Sequence, residues 1–277
     1  MAAPRPRTWF ITGCSSGFGE GLVRKLTAEG DNVIATGRQA DVKLAHLRDT
    51  GARIMDLDVA APEAEIRAKA AEAWGLFEGG VDVVINNAGY IQSGLVEELT
   101  TNFHGPLNIT RAFLPFLRER GTGTLVYLSS QAAWHVDISA GAYCASKFAL
   151  EGAVETLAQE LAILAPGLKV LLVEPGFSRT KVFHKIADIP PRVPEFAGLH
   201  AMVRAGAEAI PGTEVGDPEK AVARIVELVR GDGMAAGREV PLRVALGSDG
   251  WGRIREKCET VVRVGAEWED VARSTDW

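Results

Sequence analysis

The sequence predicts a doubly wound α/β fold, in which helices cover both faces of a parallel sheet. Short runs rich in β-branched and other apolar residues recur along the chain, and they are continuous rather than alternating, which indicates strands buried on both faces. Segments with apolar residues at helical spacing lie between them, and most end near a glycine. With 277 residues, 47% of them hydrophobic, the chain fits one large three-layer α/β/α domain spanning residues 1–277.

The elements follow one another in regular alternation. The predicted strands cover residues 8–12, 32–37, 53–59, 81–86, 124–129, 169–174 and 240–247. The predicted helices cover residues 19–30, 62–75, 105–121, 146–167 and 217–231. Residues 186–198 are rich in proline, and we expect residues 178–215 to form a substrate loop or lid. A further helix is expected after Gly247, ahead of a polar tail.

Composition excludes several classes of protein. The net charge is −6 and no basic run occurs, so nucleic acid is not an expected partner. We find no apolar stretch long enough for a signal peptide or a membrane span. Cys14, Cys144 and Cys258 form no closely spaced pair, which fits a reducing compartment and predicts no metal site. These observations predict a cytoplasmic protein.

A glycine-rich turn, TGCSSGFGEGL, follows the first strand, with glycines at positions 13, 17 and 19. Glycines let a ligand approach the backbone closely, and the N–H groups at a helix start attract anions, so this turn suits a pyrophosphate. The spacing departs from G-x-G-x-x-G, and tight packing alone is the alternative explanation.

Arg38 follows the second strand, where dinucleotide-binding folds usually carry an acidic residue for the ribose hydroxyls. A guanidinium there would pair with a 2′-phosphate, whereas a carboxylate would repel it. Arg38 therefore favours NADP(H) over NAD(H), although a solvated arginine at a strand end is the alternative. The stretch NNAG, residues 86–89, ends the fourth strand at the ligand-binding edge, but Asn and Gly are also ordinary turn residues.

Tyr143 and Lys147 lie four residues apart in a helical pattern and so share one face of a helix. A nearby ammonium favours the phenolate and makes a tyrosine a usable acid and base, which carbonyl reduction requires. Taken alone, the pair fits a core tyrosine beside a snorkelling lysine at least as well. Ser130 changes that balance, because it ends the fifth strand and could meet the helix face across a cleft.

These residues together closely resemble the classical short-chain dehydrogenase/reductase family. The match spans residues 7 to about 180, with all motifs in the expected order. The motifs are Thr12-Gly13-x3-Gly17-x-Gly19, Asn86-Asn87-Ala88-Gly89, Ser130, Tyr143-x3-Lys147 and Pro175-Gly176-x3-Thr180. The resemblance implies a Rossmann-like sheet of about seven strands and hydride transfer between a nicotinamide and a carbonyl or alcohol.

The resemblance also implies roles for individual residues. Tyr143 would exchange the proton, Lys147 would assist it and hold the nicotinamide ribose, and Ser130 would position the carbonyl. Asn102 would help to hold a water on the proton path. The implied cofactor-binding residues are Gly13, Ser15, Ser16, Gly17, Phe18, Gly19, Arg38, Asp58, Val59, Asn87, Ala88, Gly89, Tyr143, Lys147, Pro175, Gly176 and Thr180.

One segment departs from the family pattern. Only Thr100 and Thr101 separate VEEL, residues 96–99, from Asn102, where relatives have a longer helical segment. A loss of about nine residues removes roughly 13 Å of helix at ~1.5 Å per residue. Three explanations stay open. The segment is naturally short and the assembly altered, or residues were deleted from the expressed sequence or the gene model, or Asn102 is displaced and the chemistry weakened. We expect a homo-oligomer, altered by this shortening.

The substrate is expected to be a small hydrophobic carbonyl compound or alcohol. Apolar residues in the loops beyond the sheet suggest its pocket: Trp134, Val136, Ile138, Phe183 and Phe196. His135 and His184 could also contact it. A non-redox cofactor-binding protein or a cyclase-like enzyme on the same scaffold is the alternative function, favoured by the short segment before Asn102.

Overall fold

A computed structural model describes residues 5–91, 99–182 and 193–277 of the chain. Its centre is one sheet of seven parallel strands in the order β3-β2-β1-β4-β5-β6-β7. The strands are β1 (Thr8–Ile11), β2 (Asn32–Gly37), β3 (Arg53–Asp56), β4 (Val83–Asn86), β5 (Gly123–Leu128), β6 (Leu168–Pro175) and β7 (Arg243–Leu246). The predicted doubly wound fold with seven strands is confirmed.

Helices cover both faces of this sheet. They are α1 (Gly17–Ala28), α2 (Ala40–Lys43), α3 (Glu63–Gly75), α4 (Gly105–Arg120), α5 (Gly141–Leu164), α6 (Ala197–Ala209), α7 (Pro218–Arg230), α8 (Ser248–Glu267) and α9 (Glu269–Arg273). Short 3-10 helices lie at Ala45–Thr50, Gln131–Ala133, Pro194–Phe196 and Gly233–Ala235, and a π-helix, Thr100–His104, leads into α4. Asp217 caps α7, because its carboxylate accepts from the N–H groups of Glu219 and Lys220. None of the helices in the described ranges is long and apolar enough to cross a membrane.

The segment expected to be a substrate loop is partly helical. Residues 183–192 lie outside the described residues, but α6 occupies 197–209. The sequence of this helix is rich in alanine, a strong helix former, and none of its residues is fully buried. The helix was missed because its neighbouring prolines indicate a loop.

Alternate residues of the strands enter two separate cores, one on each face of the sheet. On β1, Trp9 and Ile11 pack with α1 and α7, whereas Phe10 points to the opposite face. There Phe10 meets Phe113 of α4, with ring centroids 4.6 Å apart. Both faces of the strand are thus buried, which explains its continuous apolar sequence.

A cluster of charged residues is buried between α5, β6 and β7. Arg243 Nη1 lies 2.7 Å from Oε2 of Glu151 and 3.7 Å from Oε1 of Glu174, and it also pairs with the more exposed Glu155. Burial, followed by the charge of Glu174, raises the pKa of Glu151 to about 7. Burial also raises the pKa of Glu174. One guanidinium therefore faces two carboxyl groups that resist ionising together.

Replacement of Phe113 by alanine tests the core beside α4. Phe113 is fully buried, so Phe113→Ala should lower the free energy of unfolding by about 3–5 kcal/mol. The matched control is Leu164→Ala, whose side chain is two-thirds exposed at the end of α5 and should cost less than about 0.5 kcal/mol. Denaturant unfolding measures both, and equal losses in the two variants would contradict this account of the core.

The buried Glu151 predicts a pH dependence of stability. Its pKa is about 7 in the native state against an ordinary value of 4.5, so the native state binds more protons between these two values. Its stabilising contribution is present below pH 4.5 and is lost as the pH rises through about 7. Glu151→Gln cannot titrate, and its free energy of unfolding should fall less steeply across this range than that of the wild type.

The control for this prediction is Glu160→Gln, on an exposed turn of the same helix. Its free energy of unfolding should follow the wild-type slope between pH 4.5 and 7. Parallel curves for wild type and Glu151→Gln would show that Glu151 does not take up the proton.

Candidate active site

The glycine turn between β1 and α1 leaves bare backbone at the carboxyl edge of the sheet. Gly13 and Gly17 have positive φ values of 72° and 62°, which favour glycine. Gly19 is needed for close packing, because a Cβ there would lie 2.5 Å from the carbonyl oxygen of Gly13. Each of these three glycines is thus required by the local geometry.

The turn is fastened to the end of β4. The Thr12 hydroxyl accepts hydrogen bonds from the backbone N–H groups of Asn87 and Ala88, both at 3.0 Å. The Asn87 side chain donates back to the carbonyl oxygens of Thr12 and Gly13, at 2.8 and 3.0 Å. The NNAG stretch therefore has a defined structural role here, beyond that of an ordinary turn.

A cavity of about 810 Å³ opens beside this turn, within the size range of cofactor and substrate sites. Most residues that the sequence assigned to the site lie in its wall. They are Gly13, Ser15, Ser16, Gly17, Phe18, Arg38, Asp58, Val59, Asn87, Ala88, Gly89, Ser130, Tyr143, Lys147, Pro175, Gly176 and Thr180. Gly19 and Asn102 are buried and do not line the cavity.

Ser130, Tyr143 and Lys147 all line this cavity. Tyr143 and Lys147 stand one turn apart on α5, with the ammonium 5.7 Å from the centroid of the phenol ring. Lys147 is buried and donates a hydrogen bond of 2.8 Å to the carbonyl of Leu128, at the end of β5. Ser130 follows on the same strand end, and its Oγ accepts a hydrogen bond from the N–H of Ala132. Helix and strand end thus hold the three side chains in the cavity wall.

Asn102 is fully buried in the π-helix before α4. Its side-chain oxygen accepts from the backbone N–H of Tyr90, and its amide nitrogen donates to the carbonyl of Tyr90 and to the Ser146 hydroxyl. A Cβ on Gly89 would lie 3.1 Å from the Asn102 oxygen and 3.9 Å from Lys147 Nζ. Asn102 therefore fixes the chain after NNAG, next to the lysine.

Cationic side chains line the cavity where β2 ends. Arg38 is exposed and directly follows this strand, and Lys43 of α2 lines the same cavity. The nearby Asp56 carboxylate accepts a hydrogen bond from the N–H of Ala40, and Asp58 accepts one from Ala60. The first side chain after β2 is thus a cation, with no carboxylate in its place.

Only some of the residues predicted to contact the substrate line the cavity. Ile138 lines the cavity, whereas Val136 and Phe196 are largely exposed and do not. Trp134 instead donates to Glu174 from the far side of the strand end. His135 lies 3.6 Å from Asp137. Phe183 and His184 lie outside the described residues.

Two contributors to the cavity were missed by sequence reasoning. One is a face of α6, whose residues Val203, Gly206, Ala207 and Ile210 line the cavity, the last from just beyond the helix. Their spacing is helical and could have revealed it. The other is Arg253 of α8, which pairs with Asp137 at 3.1 Å and lies over the ring of Phe177. No local pattern signals a contact so distant along the chain.

Within the described ranges, no group of three or more His, Cys, Asp or Glu side chains is arranged to hold a metal ion. The polar side chains in the cavity wall are mainly hydroxyls, amides and cations, with Asp58 and Asp137 as carboxylates among them. Hydroxyls, amides and cations suit an organic anion and an oxygen-bearing substrate.

Two relatives are similar along most of the chain. Oxidoreductase BOA17 of Botryotinia fuckeliana is 29% identical over 279 residues, covering 96% of this chain and 98% of that protein. Retinol dehydrogenase 8 of Homo sapiens is 33% identical over 235 residues, covering 78% of this chain and 68% of that protein.

Solved structures share the fold. A short-chain dehydrogenase from Streptomyces avermitilis superposes with a TM-score of 0.83 at 35% identity, covering 99% of this chain and all of that one. Two further short-chain dehydrogenases, from Burkholderia phymatum in complex with NAD and from Burkholderia cenocepacia in complex with NADP, give TM-scores of 0.73 and 0.69. Both are 21% identical to this chain. The first match covers 98% of this chain and 97% of the Burkholderia phymatum chain, and the second covers 95% of this chain and 97% of the Burkholderia cenocepacia chain.

The family profile described as short chain dehydrogenase matches residues 7–189, well over half of the chain. This match spans the glycine turn, the strand ends and the helix with Tyr143 and Lys147. The chain therefore belongs to the short-chain dehydrogenase family, whose members are oxidoreductases acting on CH–OH or carbonyl groups.

Proposed function

We propose that the protein is an NADP(H)-dependent oxidoreductase that interconverts a hydrophobic ketone or aldehyde with its alcohol. One observation carries the proposal: Ser130, Tyr143 and Lys147 line the same cavity as the glycine turn. A group that can exchange a proton thus stands within one cavity with a site suited to a dinucleotide.

The residues of the cavity fit a nicotinamide dinucleotide. The close approach at Gly13 and Gly19 leaves no room for side chains, so a pyrophosphate could lie against backbone at the start of α1. Lys147 would hold the nicotinamide ribose, with Pro175, Gly176 and Thr180 beside the nicotinamide. The solved relatives in complex with NAD and with NADP support a nicotinamide cofactor.

The preference for NADP(H) rests on Arg38 and its surroundings. Arg38 stands after β2 where a carboxylate would repel a phosphate, and Lys43 brings a second cation to the cavity wall. A guanidinium can make two charge-assisted hydrogen bonds to a 2′-phosphate. Ser15, exposed in the glycine turn, adds a hydroxyl to this end of the site.

In carbonyl reduction, NADPH held by these residues would supply the hydride and leave as NADP⁺. The Tyr143 phenol gives its proton to the substrate oxygen, and the adjacent Lys147 ammonium stabilises the phenolate that remains. Ser130 donates a hydrogen bond to the same oxygen as charge develops there. Its Oγ already accepts from Ala132, which leaves the hydroxyl hydrogen for the substrate.

The substrate end of the cavity favours an apolar molecule. Ile138, Val182, Val203 and Ile210 contribute aliphatic walls around the catalytic residues. Such walls favour hydrophobic ketones, aldehydes or alcohols over sugars. The similarity to retinol dehydrogenase 8 supports this class. A homo-oligomer and a cytoplasmic location stay predictions from the sequence.

Removal of the Tyr143 hydroxyl tests the chemistry. Tyr143→Phe should lower kcat for carbonyl reduction by roughly 10²–10⁴-fold, because the proton donor is lost. Its dissociation constant for NADPH, measured by nicotinamide fluorescence, should stay within about threefold of the wild-type value, because the ring is retained.

The matched control is Tyr127→Phe. Tyr127 is buried on β5, where its hydroxyl is 2.7 Å from that of Thr110, and it does not line the cavity. This variant should keep wild-type kcat and lose only some stability. Undiminished turnover by Tyr143→Phe would refute the role of its phenol, and a protein that binds NADPH but transforms no carbonyl or alcohol would favour the non-redox alternative.

Reversal of charge at Arg38 tests the cofactor preference. Arg38→Asp should weaken NADPH binding by roughly 10–100-fold through loss of charge-assisted hydrogen bonds, and should shift preference toward NADH. Arg67→Asp is the control, because it makes the same change in net charge at an exposed position of α3. Fluorescence titration with NADPH and with NADH gives the ratio of the two dissociation constants. An unchanged ratio in Arg38→Asp would exclude a 2′-phosphate contact.

A further inference from the structure

The cluster of the buried Glu151 and Glu174 with the partly exposed Arg243 is hydrogen-bonded to the turn that carries Ser130. Glu151 shares a face of α5 with Tyr143 and Lys147, since the three residues are spaced four apart. Tyr143 and Lys147 line the cavity, whereas Glu151 lies one turn further along the helix, outside the cavity wall. The same helix face thus continues from the reacting groups to the cluster.

Both ends of the short turn after β5 are hydrogen-bonded to this cluster. At its start, the Ser129 hydroxyl donates to Oε1 of Glu151 at 2.5 Å. At its end, the indole N–H of Trp134 donates to Oε1 of Glu174 at 3.1 Å. Ser130 lies between these two anchors, at the N-cap of the 3-10 helix Gln131–Ala133.

Arg243 joins the two anchors from β7. Its guanidinium contacts both Glu151 and Glu174 and lies 5.0 Å from the centroid of the Trp134 ring. Among the described residues, Glu155 and Lys257 are the further charged groups of the surface groove between α5 and α8: Glu155 pairs with Arg243, and Lys257 lines the same groove.

Stability alone is a weak explanation for this arrangement. Two carboxyl groups and one guanidinium lose much of their hydration when buried, and apolar residues of similar volume often replace such groups at no loss of stability. What apolar residues could not supply is a set of directed hydrogen bonds at Ser129 and Trp134.

We propose that Glu151, Glu174 and Arg243 are positioning residues that fix the Ser130 hydroxyl relative to the Tyr143 phenol. Glu151 is the central member, because it belongs to the helix of Tyr143 and holds the residue next to Ser130. The proposal rests on the proposed function for its catalytic consequence, but the hydrogen bonds themselves are independent of it.

The kinetic test compares Glu151→Ala, Glu151→Gln and the exposed control Glu160→Gln. The kcat for reduction of a hydrophobic ketone is expressed per NADPH-binding site, so that misfolded protein does not contribute. Glu151→Ala should lose roughly 10–100-fold in kcat, because displacements of about 1 Å in a reacting group have that effect. Glu151→Gln keeps an acceptor for Ser129 but loses the ion pair with Arg243, so it should retain clearly more kcat than Glu151→Ala without reaching the wild type. Glu160→Gln should equal the wild type.

Two kinetic outcomes would overturn the proposal. Full kcat per NADPH site in Glu151→Ala would leave the cluster with a structural role alone. Equal losses in the alanine and glutamine variants would also overturn it, since glutamine retains the acceptor. If Glu151→Ala does not fold, Ser129→Ala removes the other partner of the same hydrogen bond and should show the same loss.

Hydrogen exchange gives a readout that does not need turnover. The N–H of Ala132 donates to Ser130 Oγ and that of Ala133 to the Ser130 carbonyl, so their exchange reports on this turn. In Glu151→Ala, residues 130–135 should exchange roughly threefold faster or more, with the rest of the sheet unchanged. Unchanged exchange in Glu151→Ala would overturn the proposal. If the variant shows the expected faster exchange but the wild-type protein turns over no carbonyl or alcohol, only the proposed function is contradicted.

Discussion

The close approach between the turn after β1 and the end of β4 is the constraint on which the cavity depends. These strands are neighbours at the centre of the sheet, although β2 and β3 intervene in the sequence. Gly19 packs against the Gly13 carbonyl, and the Asn87 side chain bonds across the gap to that same carbonyl. A side chain at either glycine would push the turn away from β4, so a single contact sets both the start of α1 and one wall of the cavity.

The opposite wall depends on α5, which carries Tyr143, Lys147 and Glu151 on one face. Lys147 is tied to the end of β5 through the Leu128 carbonyl, and Glu151 is tied to Ser129, the next residue of that strand. The helix is therefore fastened to the strand end at two successive turns. Because Ser130 follows immediately, the same buried hydrogen bonds hold the turn that carries it.

Local patterns in the sequence were enough to predict the parallel sheet and most helices, and they also pointed to the glycine turn, Arg38, Ser130, Tyr143 and Lys147 of the cavity wall. Most of the other predicted wall residues came from the resemblance to the family. Continuous apolar strands, the glycine turn and the spacing of Tyr143 and Lys147 are all short-range signals. The contacts of Arg243 with Glu151 and of Arg253 with Asp137 join residues about a hundred positions apart. Nothing local marks an arginine as the partner of one carboxylate rather than another, so these pairs required the fold. The helix α6 was missed because neighbouring prolines outweighed its spacing.

The π-helix that carries Asn102 bears on how the cavity wall is held together. Asn102 lies in a π-helix that runs directly into α4, and π-helical turns are rare and frequently occur at functional sites. The wider turn leaves Asn102 fully buried, where its amide bonds both backbone groups of Tyr90. Its bond to the Ser146 hydroxyl reaches α5 beside Lys147. The side chain thus links the chain after β4 to α5, a link that a hydrophobic residue of the same size could not make because both partners would lose their hydrogen bonds.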